Sequence, residues 1–313
     1  MHYAKPPVLL RDVIDDLGAV VDLLVDNAPY HPLGGWFRSG TNAEMASLPM
    51  WFQKDWVHAD VVVPGAELFL HHPRLIEAAK GFYDAEVVIP HTIYVNVMGP
   101  TAAHGPAHTD NPVFRGLDRT SAPMHLLRAM LWSGLFDDWA ITQATSIWWM
   151  NDVDGGGLLY WPDGPGAPPA RHERPMANTA LVGDNHGMFH QVAPIGAGGQ
   201  SPPSVTSAAE LGPTAQGDWA VVDRGSVVWR APLDGYRISV LWKAHVFANE
   251  AERTRFEGDT IGLDEVVRIF NDDLARRGDP LRLTRAGIAD PGLRDDLRRA
   301  YPEAVPVGAG ASS

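Results

Sequence analysis

Five residues in three short segments carry the chemistry of this 313-residue chain: His108-Thr109-Asp110, then His190, then Arg237-Ile238-Ser239. Two imidazoles and one carboxylate on one face of an octahedral Fe(II) leave three positions open to other ligands. A guanidinium fork meets a carboxylate through two parallel hydrogen bonds, and a hydroxyl two residues on adds a third. The spacing suits β-strands, where alternate side chains share a face. His108 and Asp110 therefore point one way, and so do Arg237 and Ser239. In chain order this is a metal ligand set followed by a clamp for a dicarboxylate.

The tripeptide alone carries little weight. With 13 His and 38 acidic residues, roughly one or two His-x-Asp/Glu matches arise by chance, and the chain has two. His58-Ala59-Asp60 precedes the apolar Val61-Val62-Val63-Pro64 but follows no strand with a polar face and has no sequel, so it reads as surface. His108 stands in richer surroundings. Before it runs Ile93-Tyr94-Val95-Asn96-Val97-Met98, a period-two strand whose second face (Tyr94, Asn96, Met98) is polar for a central position. After it, Trp148–Asn151 and Leu158–Pro162 read as strands flanking a Gly155-Gly156-Gly157 turn. Further strands are expected at Asn178–Gly183, Met188–Pro194 and Tyr236–Lys243.

His190 competes with His186. The latter sits in an Asp184-Asn185-His186-Gly187 turn, where exposure is expected, whereas His190 shares a strand face with Met188 and Val192 and points inward. Arg237 is costly to bury in so apolar a strand unless an anion meets it. That anion is either a bound dicarboxylate or a nearby Asp or Glu in a structural salt bridge. His71, His72, His104, His125 and His245 show no partner spacing of their own.

Taken in order, these elements resemble the iron(II)- and 2-oxoglutarate-dependent oxygenase superfamily, in its prolyl-hydroxylase-like and phytanoyl-hydroxylase-like branches. The resemblance covers roughly residues 88–247. It rests on the strand before His-x-Asp, a Gly-Gly-x-Leu-x-Tyr-like hairpin, the His-x-Val-x-Pro segment at His190, and the Arg-x-Ser strand ending in Leu-Trp-Lys. It implies a mainly β fold, a double-stranded β-helix (jelly roll) core with flanking α-helices. It also implies that His108, Asp110 and His190 bind Fe(II), and that Arg237 and Ser239 hold the distal carboxylate of 2-oxoglutarate. Tyr94 and Asn96 join them as candidate cosubstrate-binding residues. With O2 as co-reactant, the implied outcome is hydroxylation of an unactivated C–H bond of a small molecule, an amino acid or natural-product scaffold, with release of succinate and CO2. The carboxylate at position 110 speaks against halogenation, since family halogenases carry a small residue there. In the family the arginine often follows the second histidine closely, whereas here 237 − 190 = 47 residues separate them. Two rival readings stay open: a cupin-like metal-dependent dioxygenase that does not use 2-oxoglutarate, and a non-catalytic jelly-roll binding protein.

The rest of the chain bounds these readings. A net charge of −13 argues against nucleic-acid and anionic-membrane partners. With no cysteine, any tight metal site must use His and carboxylate. Charged residues interrupt the first apolar stretch and no run reaches the ~18 apolar residues of a membrane span, so a cytoplasmic protein is expected. One oxygenase domain over 1–313 is expected, with a helical N-terminal region 1–87 and C-terminal helices 260–302 packed outside the core. Apolar spacing predicts helices near 8–26, 123–132, 263–276 and 291–300. The Gly/Pro/Ser-rich stretch 194–218 reads as a lid over the site, and 162–177, with five prolines, as a second working loop. One tryptophan of the Trp148, Trp149, Trp161 group is a candidate substrate-pocket wall, and the tail from Val305 is expected to fray.

Overall fold

The computed structural model describes residues 5–32, 50–58, 60–102, 104–196 and 203–310. It is mainly β, with antiparallel sheets and accompanying helices. Elements are numbered along the chain. The largest sheet has the order β1 (Val8–Arg11), β9 (Thr179–Gly183), β6 (Gln143–Trp149), β14 (Arg237–Phe247), β5 (Val87–Met98), β3 (Trp51–His58), β2 (His31–Pro32), with β4 (Asp60–Val61) paired to β3. A second sheet runs β10 (His190–Val192), β7 (Leu158–Tyr160), β8 (Ala170–His172), and a third β11 (Glu210–Pro213), β12 (Trp219–Asp223), β13 (Ser226–Ala231).

Alternation along β14 and β5 decides what the large sheet does. Ile238, Val240 and Trp242 join Ile93, Val95 and Val97 in the principal apolar core. The opposite faces, Arg237, Ser239, Leu241 and Lys243 on β14 with Tyr94 and Asn96 on β5, line a cavity of about 860 Å³. The two strands pair antiparallel, with Ser239 opposite Asn96 and Leu241 opposite Tyr94.

The N-terminal region differs from the helical expectation. Val8–Arg11 is not the start of a helix but an edge strand, hydrogen-bonded to β9 with Val8 opposite Val182. The chain reverses at Asp12 (φ 49°), and helix α1 (Leu17–Asp26) begins only at Asp16, whose carboxylate accepts from the Ala19 amide at 3.1 Å. An unpaired edge offered more hydrogen bonds than a longer isolated helix. Strands β2, β3 and β4 also belong to this region, beside α2 (Glu67–Leu70) and α3 (Pro73–Tyr83). The strand ending at His58 is likewise more regular than the sequence suggested, although His58 itself is exposed.

The C-terminal helices share a core with one earlier helix. Helices α4 (Met124–Ser133), α6 (Leu263–Arg276) and α7 (Leu293–Ala300) pack on one another, burying Leu126, Met130, Phe270, Leu274 and Leu297 in a core of their own. Helix α5 (Glu250–Gly258) follows β14 directly.

Three loop expectations change. Much of the 47-residue interval before Arg237 is the third sheet, not a structureless insertion. Val205, Ala209 and Leu211 are buried, and Leu211 exchanges backbone hydrogen bonds with Tyr30. No described residue of 194–218 lines the cavity, so the lid expectation fails for them; residues 197–202 lie outside the described residues. The Gly155–Gly157 turn does not join a hairpin, because β6 and β7 belong to different sheets. The tail does not fray up to Gly310: Val307 donates to the Pro165 carbonyl, and Gly310 exchanges two hydrogen bonds with the Gln191 side chain. Residues 311–313 lie outside the described residues.

Candidate metal centre and its cavity

His108 and His190 face each other across an isolated antiparallel bridge, their amides and carbonyls exchanged at 3.0 and 2.9 Å. Asp110 follows two residues later, its amide bonded to the Asn185 carbonyl at 2.7 Å. Backbone pairing therefore brings together side chains 82 positions apart, which the sequence pattern could order but not place. Ligand atoms of His108, Asp110 and His190 lie within 4.8 Å of one another, the one group of three or more potential ligands found among the described residues.

The imidazoles are preset as ligands. Nδ1 of His108 donates to the Pro106 carbonyl at 2.8 Å, and Nδ1 of His190 to the Met188 carbonyl at 3.3 Å. A carbonyl can only accept, so both rings keep the Nε2 lone pair free, the outer-shell arrangement that orients a metal-binding histidine. Burial keeps both rings neutral by pushing their pKa values down, that of His190 to about 3. Burial alone would raise Asp110, but the Lys243 ammonium beside it holds it well below the usual carboxylate range. Two neutral imidazoles and an ionised carboxylate suit a divalent cation of the iron type.

His186 is buried, not exposed as the turn suggested. Its backbone is held by Asp184, and its Nε2 donates to the Asn111 carbonyl at 2.9 Å. Its Nδ1 has no hydrogen-bond partner, but the ring is not part of the group formed by His108, Asp110 and His190, and it supports the loop beside Asp110 instead.

Arg237 is 2% exposed. Nε donates to the Gly156 carbonyl at 2.7 Å, Nη1 lies 3.2 Å from Ser239 Oγ, and the guanidinium sits 5.6 Å from the Trp149 ring. Gly156 takes a left-handed conformation (φ 68°), and a Cβ there would meet the Arg237 side chain at 3.0 Å. Among the described residues no carboxylate lies within ion-pair reach of Arg237, which removes the structural salt bridge as its explanation. A buried guanidinium without a counter-anion is expensive; burial pulls its pKa down to about 10. Nearby, Asn96 Oδ1 is buried without a hydrogen-bond partner. Arg237 and Ser239 supply the donors that fit a carboxylate-bearing ligand on the same cavity wall as the cluster, whereas Asn96 Oδ1 can only accept. Tyr94 also lines that wall.

Trp148 packs in the principal core, Trp161 packs with Leu159 and Phe189, and Trp149 supports Arg237 and His172, so none of the three forms a cavity wall. Trp51 does.

Three residues escaped the sequence pattern. Lys243 was visible as the third polar residue of the Arg237/Ser239 face and lies 2.7 Å from Asp110 Oδ2. His245 continues that face. His91 was hidden, because alternation from Ile93 assigns it to the core side. A bulge sets Lys243 opposite Thr92 and Ala244 opposite Pro90, so His91 is the extra residue and turns toward the cavity. Its ring lies 4.1 Å from that of His245.

This histidine pair predicts a pH dependence. Burial pushes His91 to about 2 and His245 to about 4, against an ordinary value of 6.5. The folded values are depressed, so their contribution is full above 6.5 and is lost as pH falls from there toward the folded values. Each group weakens the fold by at most ~1.4 kcal/mol per pH unit in that window. Urea midpoints should fall between pH 7.5 and 5.5, and His245→Phe should reduce the drop; an undiminished drop in the variant rules out His245 as a source.

No protein-family model and no curated protein sequence matches the chain. Solved structures similar to it include a 2-oxoglutarate/Fe(II) oxygenase family member and prolyl hydroxylases. An oxidoreductase of that family from Burkholderia pseudomallei is 14% identical, with 77% of this chain and 85% of that one covered and a TM-score of 0.43. A Trichoplax adhaerens prolyl hydroxylase, solved with a hypoxia inducible factor peptide, is 12% identical over 80% and 86% of the two chains, TM-score 0.42. HygX from Streptomyces hygroscopicus, solved with nickel, 2-oxoglutarate and hygromycin B, is 9% identical over 77% and 83%, TM-score 0.42.

Proposed function

We propose that this chain is an Fe(II)- and 2-oxoglutarate-dependent oxygenase, a single domain with a double-stranded β-helix core, that hydroxylates an unactivated C–H bond of a small molecule. One observation carries the reading: a buried arginine that no carboxylate among the described residues meets shares a cavity with a preset two-histidine, one-carboxylate cluster. A cupin-like dioxygenase that acts without 2-oxoglutarate leaves Arg237 unexplained, and so does a non-catalytic binding protein.

His108, Asp110 and His190 would hold iron, which together with O2 and 2-oxoglutarate supplies an oxidant strong enough to take hydrogen from carbon. Arg237 and Ser239 anchor the distal carboxylate of the cosubstrate and so fix its reach toward the cluster. Asn96 offers its carboxamide to the same ligand, and Tyr94 closes the wall between the two sites. The cavity, at about 860 Å³, is in the range that takes a drug-sized ligand, which leaves room for a substrate beside the cosubstrate. Its far end, past Lys243, is lined by His91, His245, Gln143 and Phe256. Buried neutral imidazoles and an amide there favour an uncharged polar substrate group over a charged one. No described helix is long and apolar enough to cross a membrane. With the acidic composition, that supports a cytoplasmic enzyme with a small-molecule substrate and no nucleic-acid or membrane partner.

The test is succinate. Protein reconstituted with Fe(II), 2-oxoglutarate and O2 should form succinate, and a mass-spectrometric screen of amino acids and natural-product scaffolds should find a compound that gains one oxygen and accelerates it. Absence of succinate in every condition, with no 2-oxoglutarate binding to metal-loaded protein, sinks the reading.

A further inference from the structure

The cavity face of β14 carries a second cation beyond the arginine. Lys243 lies four residues past Ser239 and directly opposite Thr145 of β6 and Thr92 of β5. Its Nζ donates to Oδ2 of Asp110 at 2.7 Å, with the two side chains only 15% and 10% exposed. Thr145 Oγ1 donates to the same oxygen at 3.4 Å. The other oxygen, Oδ1, lies 3.6 Å from His190 Nε2. The carboxylate is thus divided: one oxygen is held by a charged donor from the strand, the other faces the imidazoles.

We propose that Lys243 is a positioning residue that holds Asp110 as a one-oxygen metal ligand, so that Oδ1 alone meets the cation and the open positions remain available to the cosubstrate. The inference rests on the metal-centre reading above and extends it to a residue outside the ligand set.

The physical argument has two parts. Rotation about the terminal bond of an aspartate is soft and two-fold, so nothing within Asp110 itself decides whether one oxygen or both turn toward a cation. A buried carboxylate oxygen that loses its charged donor is costly, and at Oδ2 only the long bond from Thr145 would remain. With Lys243 gone, Oδ2 can recover a positive neighbour only by swinging toward the metal, where it takes one of three positions that a two-histidine, one-carboxylate set leaves open. Charge adds a second effect. The three ligands sum to one negative charge, and Lys243 brings the local sum to zero. Its removal favours a divalent cation and disfavours a dianionic cosubstrate. The two affinities should therefore move in opposite directions, which a packing defect cannot produce.

The experiment measures Co(II) binding to wild type, Lys243→Met and Lys243→Arg by calorimetry, then binding of 2-oxoglutarate to each Co(II)-loaded protein. Lys243→Met should bind Co(II) as tightly as wild type or up to about tenfold tighter, and 2-oxoglutarate at least about tenfold more weakly. Lys243→Arg, which keeps the charge, should return both values toward wild type. Infrared spectra of protein labelled with carbon-13 at aspartate carboxylates should show a narrower splitting between the two carboxylate stretches on metal binding in the Met variant only, the mark of two-oxygen ligation. If Lys243→Met does not fold, Lys243→Gln makes the same comparison, since it also removes the charge.

Loss of both affinities together without rescue by arginine would reduce Lys243 to a packing role, and unchanged affinities would remove it from the site; either overturns the inference. Failure of the wild type to bind Co(II) is a different result, which overturns the metal centre and this inference with it.

Discussion

His190→Ala, Asp110→Ala and His108→Ala each lower Fe(II) affinity by more than about a hundredfold and abolish succinate formation, whereas His186→Ala keeps Fe(II) affinity within about tenfold of wild type. The first figure exceeds the 10–100-fold typical of outer-shell changes, because here a ligand itself is removed. The contrast between the two histidines is the sharper part. Both are buried, and both lie near Asp110. Only His190 brings its free nitrogen, Nε2, into the group with His108 and Asp110; His186 donates through Nε2 to Asn111 and lies outside that group. Anaerobic Fe(II) titration of the four variants checks the assignment. Normal binding by His190→Ala together with loss in His186→Ala would exchange their roles.

Arg237→Met raises the Michaelis constant for 2-oxoglutarate by about ten- to a hundredfold or more and leaves Fe(II) binding near wild type. A hydrogen bond to a charged group contributes about 1.5–3 kcal/mol, and each 1.4 kcal/mol is a factor of ten. The ligand-free variant should also unfold at a temperature equal to or above that of wild type. Replacing a buried charge that no carboxylate among the described residues meets by an apolar side chain of similar length removes a desolvation penalty, while the acceptors that lose a donor are the Gly156 carbonyl, Ser239 Oγ and Met98 Sδ. The stabilisation that 2-oxoglutarate gives the wild type should vanish in the variant, since that increment scales with occupancy. Kinetics and thermal scans with and without cosubstrate decide the matter. A destabilised variant with an unchanged Michaelis constant would return Arg237 to a structural role.

Much of the site is legible in the sequence because strand alternation is a short-range rule. Arg237 and Ser239 share a face as a consequence of period two, and the apolar alternation around Ile93 and Ile238 marks which faces are buried; His108 and Asp110 meet at the cluster although no strand covers them, only an isolated bridge at His108. Helix α6 is equally legible, since Leu263, Val266, Phe270 and Leu274 repeat at helical spacing and acidic residues mark its first turn. The same local logic fails at the N-terminus. Spacing of three and four from Leu10 onward is compatible with a helix, but Val8–Arg11 found free hydrogen-bonding groups on β9, and a tertiary partner overrides weak propensity. It also fails at 203–218, where Val205, Ala209 and Leu211 are too sparse to register as a pattern yet pack against the region around Tyr30.

By itself the sequence determined the residue types: which donors exist, in what order, and that without cysteine a metal must be met by imidazole and carboxylate. It also determined facing within each strand. Only the tertiary structure decided relations between segments. Pairing across the His108–His190 bridge chose one histidine over its neighbour four residues away, by setting its ring beside His108 and Asp110. A bulge of one residue turned His91 out of the core face. Long-range strand order set Lys243 against Asp110, 133 positions earlier, and left Arg237 with no carboxylate partner among the described residues. Such facts depend on which backbone groups meet across the sheet, and those meetings are fixed by the energy of the whole fold, not by any local stretch.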